Sequence, residues 1–226
     1  KISEISSLKK ISKEIIYTSS EDEYKLLEPW IQWESIHTGS TASEHKVFRL
    51  GDSIFSSKKQ IFKELDEKKI KVGVISSMNA KNNLENASYF IPDPWTQTDS
   101  DKGFFSKLIS KVIRDLVNNN SSGQFSKFNY IYILFIFFRF VRPKKYISFL
   151  LIFYKSLTKK WFRPLFLDKL LHEINLCLFK LKKPNFSCIF FNGAAHIQHH
   201  YLFNSLANTS DIKNPENIIK SKLDPF

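Results

Sequence analysis

The chain has 226 residues, a formal net charge of +12, 42% hydrophobic residues and 25% charged residues. That length can bury a sizeable core, and this balance of apolar and charged residues excludes wholesale disorder. With 6 Gly and 8 Pro the chain is neither collagen-like nor of low complexity. Its two cysteines, Cys177 and Cys188, make no zinc spacing and no disulfide framework, which fits a reducing compartment.

The charge is uneven along the chain. Residues 1–100 hold 14 Lys+Arg against 15 Asp+Glu, a net of −1, and residues 101–226 hold 20 against 7, a net of +13. Such an excess speaks to partners and not to fold. Candidate partners are nucleic acid, an anionic membrane surface, or phosphorylated and acidic substrates; nucleic acid is the weaker reading, because no recognised motif accompanies the basic stretch. The chain begins at Lys1 and has Met78 as its single methionine, so a fragment truncated at both ends is expected. Its start has no signal-peptide pattern, which favours a cytoplasmic or membrane-peripheral location.

In chain order, Ile5, Leu8, Ile11 and Ile15 give residues 1–25 a helix-prone lead-in. Pro29 opens a short helix that Gly39 closes. Ser57 to Lys69 predicts an amphipathic helix with Ile61, Phe62 and Leu65 on one face. Ile70 to Ser77 then predicts a short buried strand, and Phe90-Ile91 a second one. Helix followed by buried strand implies an α/β fold. Pro92-Asp93-Pro94-Trp95 must be extended or turned. Residues 104–118 predict a helix, and Asn118 to Gly123 a loop.

The most apolar stretches, Tyr130 to Phe138 and Ile147 to Tyr154, are each shorter than the roughly 18–20 residues of a membrane span. Arg139, Arg142 and Pro143 interrupt them, so buried helices of a basic, mostly helical insertion are expected. From Arg139 to Lys183 there are 12 Lys+Arg and two Asp+Glu. This is either a solvated basic face, or a lid or edge that attracts anions or lies on a membrane. Phe186 to Phe191 predicts another buried strand, followed by a helix from about Ala194, and the tail from Asn208 is polar. The expected organisation is a first part of an α/β core over 1–125, a basic aromatic insertion or cap over 126–184, and a return to the core over 185–226.

His196, His199 and His200 crowd within five positions just after that strand. Imidazoles one helical turn apart share a face and suit metal ligation or proton transfer, although a polar helix start would also place them there. His37 and Thr38 with His45, Asn79 in the Ser76–Asn79 strand end, and Asp93 between two prolines are weaker candidates, since ordinary turns use the same residues. There is no GxGxxG, P-loop, GxSxG or CxxC pattern.

Trp33 to Gly39, then Glu44-His45-Lys46-Val47, a helix, and Ile70 to Val74 together resemble the alkaline phosphatase superfamily, in its phosphodiesterase/nucleotide-pyrophosphatase and sulfatase-like branches. More narrowly, Glu28 to Trp33, Ser77 to Ala80, Pro92 to Trp95 and Ala195 to His199 resemble a bacterial alkaline phosphatase family group. The resemblance covers about residues 26–100 and 186–206. It implies a layered α/β/α sandwich with a helical insertion, and a metal-dependent hydrolase or transferase acting on phosphate or sulfate esters. The implied cofactor is a divalent ion, zinc or manganese, held by His199 with His196 and His200, while His37 and Thr38 would touch substrate.

The family's nucleophile should stand about nine residues before Thr38, but that count lands on Pro29, beside Glu28, with no hydroxyl or thiol. Either Glu28 takes the nucleophile's place, or a metal-bound water attacks directly, or hydrolysis has been lost; Asn79 and Asp93 are expected to line the cleft. Lys46 stands where the family has a glycine, and Ala195 where it has a metal-binding aspartate. The competing expectation is a catalytically degenerate binding protein, or a membrane-surface envelope-polysaccharide factor, on the same scaffold.

Overall fold

Three short parallel strands make one sheet, in the order β2-β1-β3, in a computed structural model that describes residues 23–118 and 127–201. The strands are β1 (Val72–Ile75), β2 (Tyr89–Ile91) and β3 (Phe186–Ile189). The helices are α1 (Pro29–Thr38), α2 (Ala42–His45), α3 (Ile61–Glu67), α4 (Phe104–Asn118), α5 (Lys127–Phe140), α6 (Tyr146–Thr158), α7 (Phe162–Lys182) and α8 (Gly193–Tyr201). The expected lead-in helix before residue 23, the loop beyond Asn118 up to residue 126 and the polar tail lie outside the described residues.

Local chemistry sets the element ends. Pro29 starts α1, and Gly39 closes it in the left-handed region (φ 63), its N–H donating to Ser35 O at 2.8 Å. The α3 helix starts later than its apolar pattern suggests. The Ser56 hydroxyl accepts the Lys58 N–H at 3.2 Å, and that local bond competes with a helical turn. Strand β1 stops at Ile75 because Ser76 turns left-handed (φ 55).

Side chains alternate across the sheet, as a two-residue repeat requires. Val72, Val74 and Phe90 pack with Phe62 of α3 on one face. Ile75, Tyr89 and Ile91 pack on the other with α4, α5, α6 and α7. The fold is thus mixed α/β, with helices over both faces of a small parallel sheet. The segment 127–182 belongs to this second core: Ile136, Phe140, Phe149 and Ile174 join the same cluster as Ile75.

One close approach holds the sheet together. Gly73 of β1 pairs with Tyr89 on one side and Ser187 on the other. A Cβ at Gly73 would lie 2.4 Å from the Tyr89 ring. The bare glycine lets that ring cross β1, and its hydroxyl donates to Asn175 Oδ1 at 3.0 Å and bonds Ser187 Oγ at 2.9 Å. One aromatic side chain therefore links β2, β1, β3 and α7.

Two expectations change. Strand β3 is half-buried with Phe186 exposed; among the described residues both β2 and β3 pair with β1 alone, but β2 is buried along its length and β3 is less covered by its neighbours. Helices α5 and α6 are buried along one face only. Phe149 is 1% exposed, whereas Ile147 and Tyr154 are each 74% exposed. No described element covers the outer face, so its apolar residues meet solvent. Among the described residues, no helix is long and apolar enough to cross a membrane.

Candidate functional site

In an open parallel sheet, ligands bind beyond the carboxyl ends of the strands, where successive connections leave in opposite directions. Here the chain leaves β1 for β2 on one side, and β3 arrives on the other. The carboxyl edge of β1 carries Ser76 to Asn79, that of β2 the turn 92–99, and that of β3 the start of α8. The C-terminal end of α1 packs against this edge, with Trp33 edge-on to Phe190 at 5.3 Å and 5.7 Å from His37.

His37, Ser77 and Cys188 form a bonded chain between α1, β1 and β3. His37 Nε2 lies 3.0 Å from Met78 O and 3.3 Å from Ser77 Oγ, and the Cys188 thiol donates to Ser77 Oγ at 3.6 Å. A carbonyl only accepts, so Nε2 carries the proton and cannot also take one from Ser77. The pairing is therefore not that of a nucleophile with its base. Burial pushes the His37 imidazole down to about 4 and the Cys188 thiol up, so both stay neutral near pH 7.

Asn79 is a structural hub with no exposed surface. Its N–H donates to Asp93 Oδ2 at 3.0 Å and its Nδ2 to Trp30 O at 2.9 Å. Its Oδ1 accepts from Gly51 N–H at 2.7 Å, and its carbonyl from Gln60 Nε2 at 2.8 Å. Asp93 accepts three further bonds, from the N–H of Trp95 and the N–H and hydroxyl of Thr96. Burial pushes its carboxyl up while these donors pull it down. The two-proline turn thus aims Asp93 inward, to fix the loop behind β1.

Glu34, which the sequence did not mark as a site candidate, is the most unusual group in this region. It is fully buried on α1, and Oε2 accepts from Gln60 Nε2 at 2.7 Å. Among the described residues Oε1 has no hydrogen-bond partner, and burial pushes the carboxyl up to about 7. The available signal was position: Ile31, Glu34 and His37 form the buried stripe of α1 at a three-residue spacing.

The other candidates are scattered. Glu28 is exposed at the first end of α1, its side chain making no cap, and a helix of this length separates it from His37 and Thr38 by about 14 Å. Thr38 donates its hydroxyl back to Glu34 O at 2.8 Å. His45 is buried on α2, where Nδ1 accepts the Val47 N–H and Nε2 bonds Ser35 Oγ, both at 3.0 Å. His196 is half-buried and His199 exposed, one turn apart on α8. The side chain of His200 lies outside the described residues. Asp168 of α7 holds the start of α8, accepting the N–H of Asn192 at 3.1 Å and of Gly193 at 2.7 Å.

The donor chemistry does not complete a metal site. His196 and His199 are two imidazoles on adjacent turns, and among the described residues no group of three His, Cys, Asp or Glu could hold an ion. A cavity of about 510 Å³ lies beside the β2 edge, lined by Trp95, Gln97, Thr98, Asp99 and Arg114. Arg114 Nη2 reaches the carbonyls of Thr96 and Thr98 at 3.4 Å. No family model, curated protein or solved structure matches this chain.

Proposed function

We propose that this chain is a hydrolase or transferase acting on phosphate or sulfate esters, built on a layered α/β/α core of alkaline-phosphatase type. The observation that supports the reading is the strand order β2-β1-β3, with the start of the histidine helix α8 and the Arg114 cavity both on its carboxyl edge. Arg114 supplies a fixed cation beside a polar cavity, which suits an anionic ester drawn in by an attraction that salt weakens. In this reading His199, exposed on α8, would be the group that holds or moves a proton at a ring nitrogen. The zinc or manganese ion that the family resemblance implies would need donors beyond His196 and His199, and no step of this reading runs through it.

A second reading has its own support. Glu28 stands at the far end of α1 from His37, while Asn79 and Asp93 spend their polar atoms on the fold. A protein on this scaffold that binds an anionic ester without turning it over would tolerate that arrangement.

One comparison separates the two. The protein and its His196→Ala/His199→Ala variant are assayed with an aryl phosphodiester, an aryl phosphate and an aryl sulfate, and their metal content is measured by elemental mass spectrometry. The hydrolase reading expects turnover that falls about a hundredfold or more in the variant, with any stoichiometric zinc or manganese falling alongside. Turnover unchanged in the variant would overturn the histidine assignment. Saturable ester binding without turnover in the parent protein would favour the second reading.

A further inference from the structure

The outer sides of α5 and α6 invert the usual surface pattern. On α6, Ile147, Leu150, Tyr154 and Leu157 recur at spacings of three and four and are all exposed, while the inward face holds Phe149 and Ser156. On α5, Ile131, Leu134 and Phe138 form a second exposed apolar row. Phe138 lies 5.8 Å from Tyr146, so the two helices meet at an aromatic corner. Scattered apolar residues are ordinary on a protein surface, but two helices that are apolar on both faces indicate a partner.

The charge around these rows has one sign. Residues 127–183 contain 13 Lys+Arg and two Asp+Glu, Asp168 and Glu173. Both acids are engaged within the fold. Glu173 is buried against Arg142, with Nη2 2.6 Å from Oε1, and Asp168 caps α8. The cations also sit close to aromatic faces: Lys155 Nζ is 5.5 Å from the Phe162 ring centre, and Lys159 Nζ 5.7 Å from that of Trp161. An ammonium held over an aromatic ring, with its methylenes along apolar surface, sits naturally at a water–hydrocarbon boundary.

We infer that the outer face of α5 and α6 docks on an anionic lipid bilayer. The helices lie in the plane of the interface and do not cross it, since α5 has 14 residues and α6 13, against about 20 for a span. Charge complementarity selects this occupant. A second copy of the chain would set cations against cations. Segment 1–22, with four Lys and four Asp+Glu, has no net charge to answer the cationic rim. Anionic headgroups meet the lysines while the apolar rows enter the acyl boundary, and the two contributions add. This inference is independent of any ester chemistry.

Co-sedimentation of the full chain with vesicles tests it. One set is phosphatidylcholine alone, and the other contains about 30% phosphatidylglycerol, close to the charge of an anionic leaflet. Two variants, Lys144→Glu/Lys160→Glu and Leu150→Asn/Tyr154→Asn, alter exposed positions, and circular dichroism checks that both fold. Binding is expected to the anionic vesicles only, to weaken as salt rises to about 0.5 M, and to fall about tenfold or more in each variant. No sedimentation with anionic vesicles, equal binding to both sets, or binding unchanged in both variants would overturn the inference. So would a concentration-dependent dimer in sedimentation equilibrium that Leu150→Asn/Tyr154→Asn abolishes while vesicle binding persists, since the apolar face would then belong to a second copy.

Discussion

Glu34 and His37 lie one turn apart on the buried side of α1, and burial moves their proton affinities in opposite directions. The Glu34 carboxyl is raised from 4.5 to about 7, and the His37 imidazole is lowered from 6.5 to about 4. Between those two values for Glu34 the folded chain keeps a proton that the unfolded chain has released, so stability falls as pH rises. Between those for His37 the unfolded chain binds a proton that the folded chain refuses, so stability rises with pH. The two slopes oppose each other over the shared window and largely cancel. Replacing one group should uncover the other. In urea unfolding, Glu34→Gln should gain about 2 kcal/mol between pH 4.5 and 6.5, and His37→Gln should lose about as much between pH 4.5 and 7. Flat profiles in both variants would mean that neither group is held as described.

At the scale of elements, Gly73 and Tyr89 are the joint of the sheet. Gly73→Ala places a methyl group inside the Tyr89 ring contact and should cost about 1–3 kcal/mol in chemical denaturation. Tyr89→Phe should cost only about 1 kcal/mol, because Ser187 Oγ still donates to Asn175 Oδ1 at 3.3 Å. Gly73→Ala/Tyr89→Leu should destabilise by less than the sum of its single changes, since the smaller side chain vacates the space the methyl needs. Additive costs would show that the ring does not cross β1. Much of this layer was legible beforehand. Pro29 and Gly39 bracket α1, the run of Val and Ile marks β1, and the apolar spacing marks α4, because those signals act within one turn or one strand. What a strand or helix packs against is not local. The run Phe186 to Phe191 reads as a buried strand, but the packing around it leaves β3 half-exposed. The apolar character of α5 and α6 reads as burial, but only the arrangement of their neighbours leaves one face open. In the site region, residue type marks Asp93 and Asn79 as candidates, while the loop-holding hydrogen bonds of Asn79 to Asp93, Gly51 and Trp30 join residues distant in sequence and are not legible there. Glu34 stands between Trp33 and Ser35, where nothing local tells a buried carboxyl from an ordinary exposed one; its burial comes from elements that pack on α1 from elsewhere in the chain.

For the whole molecule, the separation of charge is the dominant feature. The excess cations are concentrated on α5–α7, while residues 1–100 are close to neutral. Like charges crowded on one side repel each other in the folded state, and salt screens that repulsion over about 10 Å at 0.1 M. The melting temperature should therefore rise by a few degrees as sodium chloride is raised from about 0.05 to about 0.5 M. The shift should shrink in Lys144→Glu/Lys160→Glu, which relieves part of the crowding. A melting temperature that falls over the same range would indicate that attractive pairs, such as Arg142 with Glu173, outweigh the repulsion.

The Asp168 carboxylate has a consequence for the carboxyl edge as a place of recognition. A helix start following a strand is where an incoming phosphate or sulfate group would ordinarily find free N–H donors. In this chain the first donors of α8 are already taken, by a carboxylate delivered from the neighbouring helix. An external anion would compete there with a tethered one, whose effective concentration is far above that of a dissolved metabolite. If the proposed ester binding holds, the group would meet the Arg114 guanidinium beside the β2 turn or His199 of α8, and the helix start held by Asp168 would be a fixed wall of the crevice.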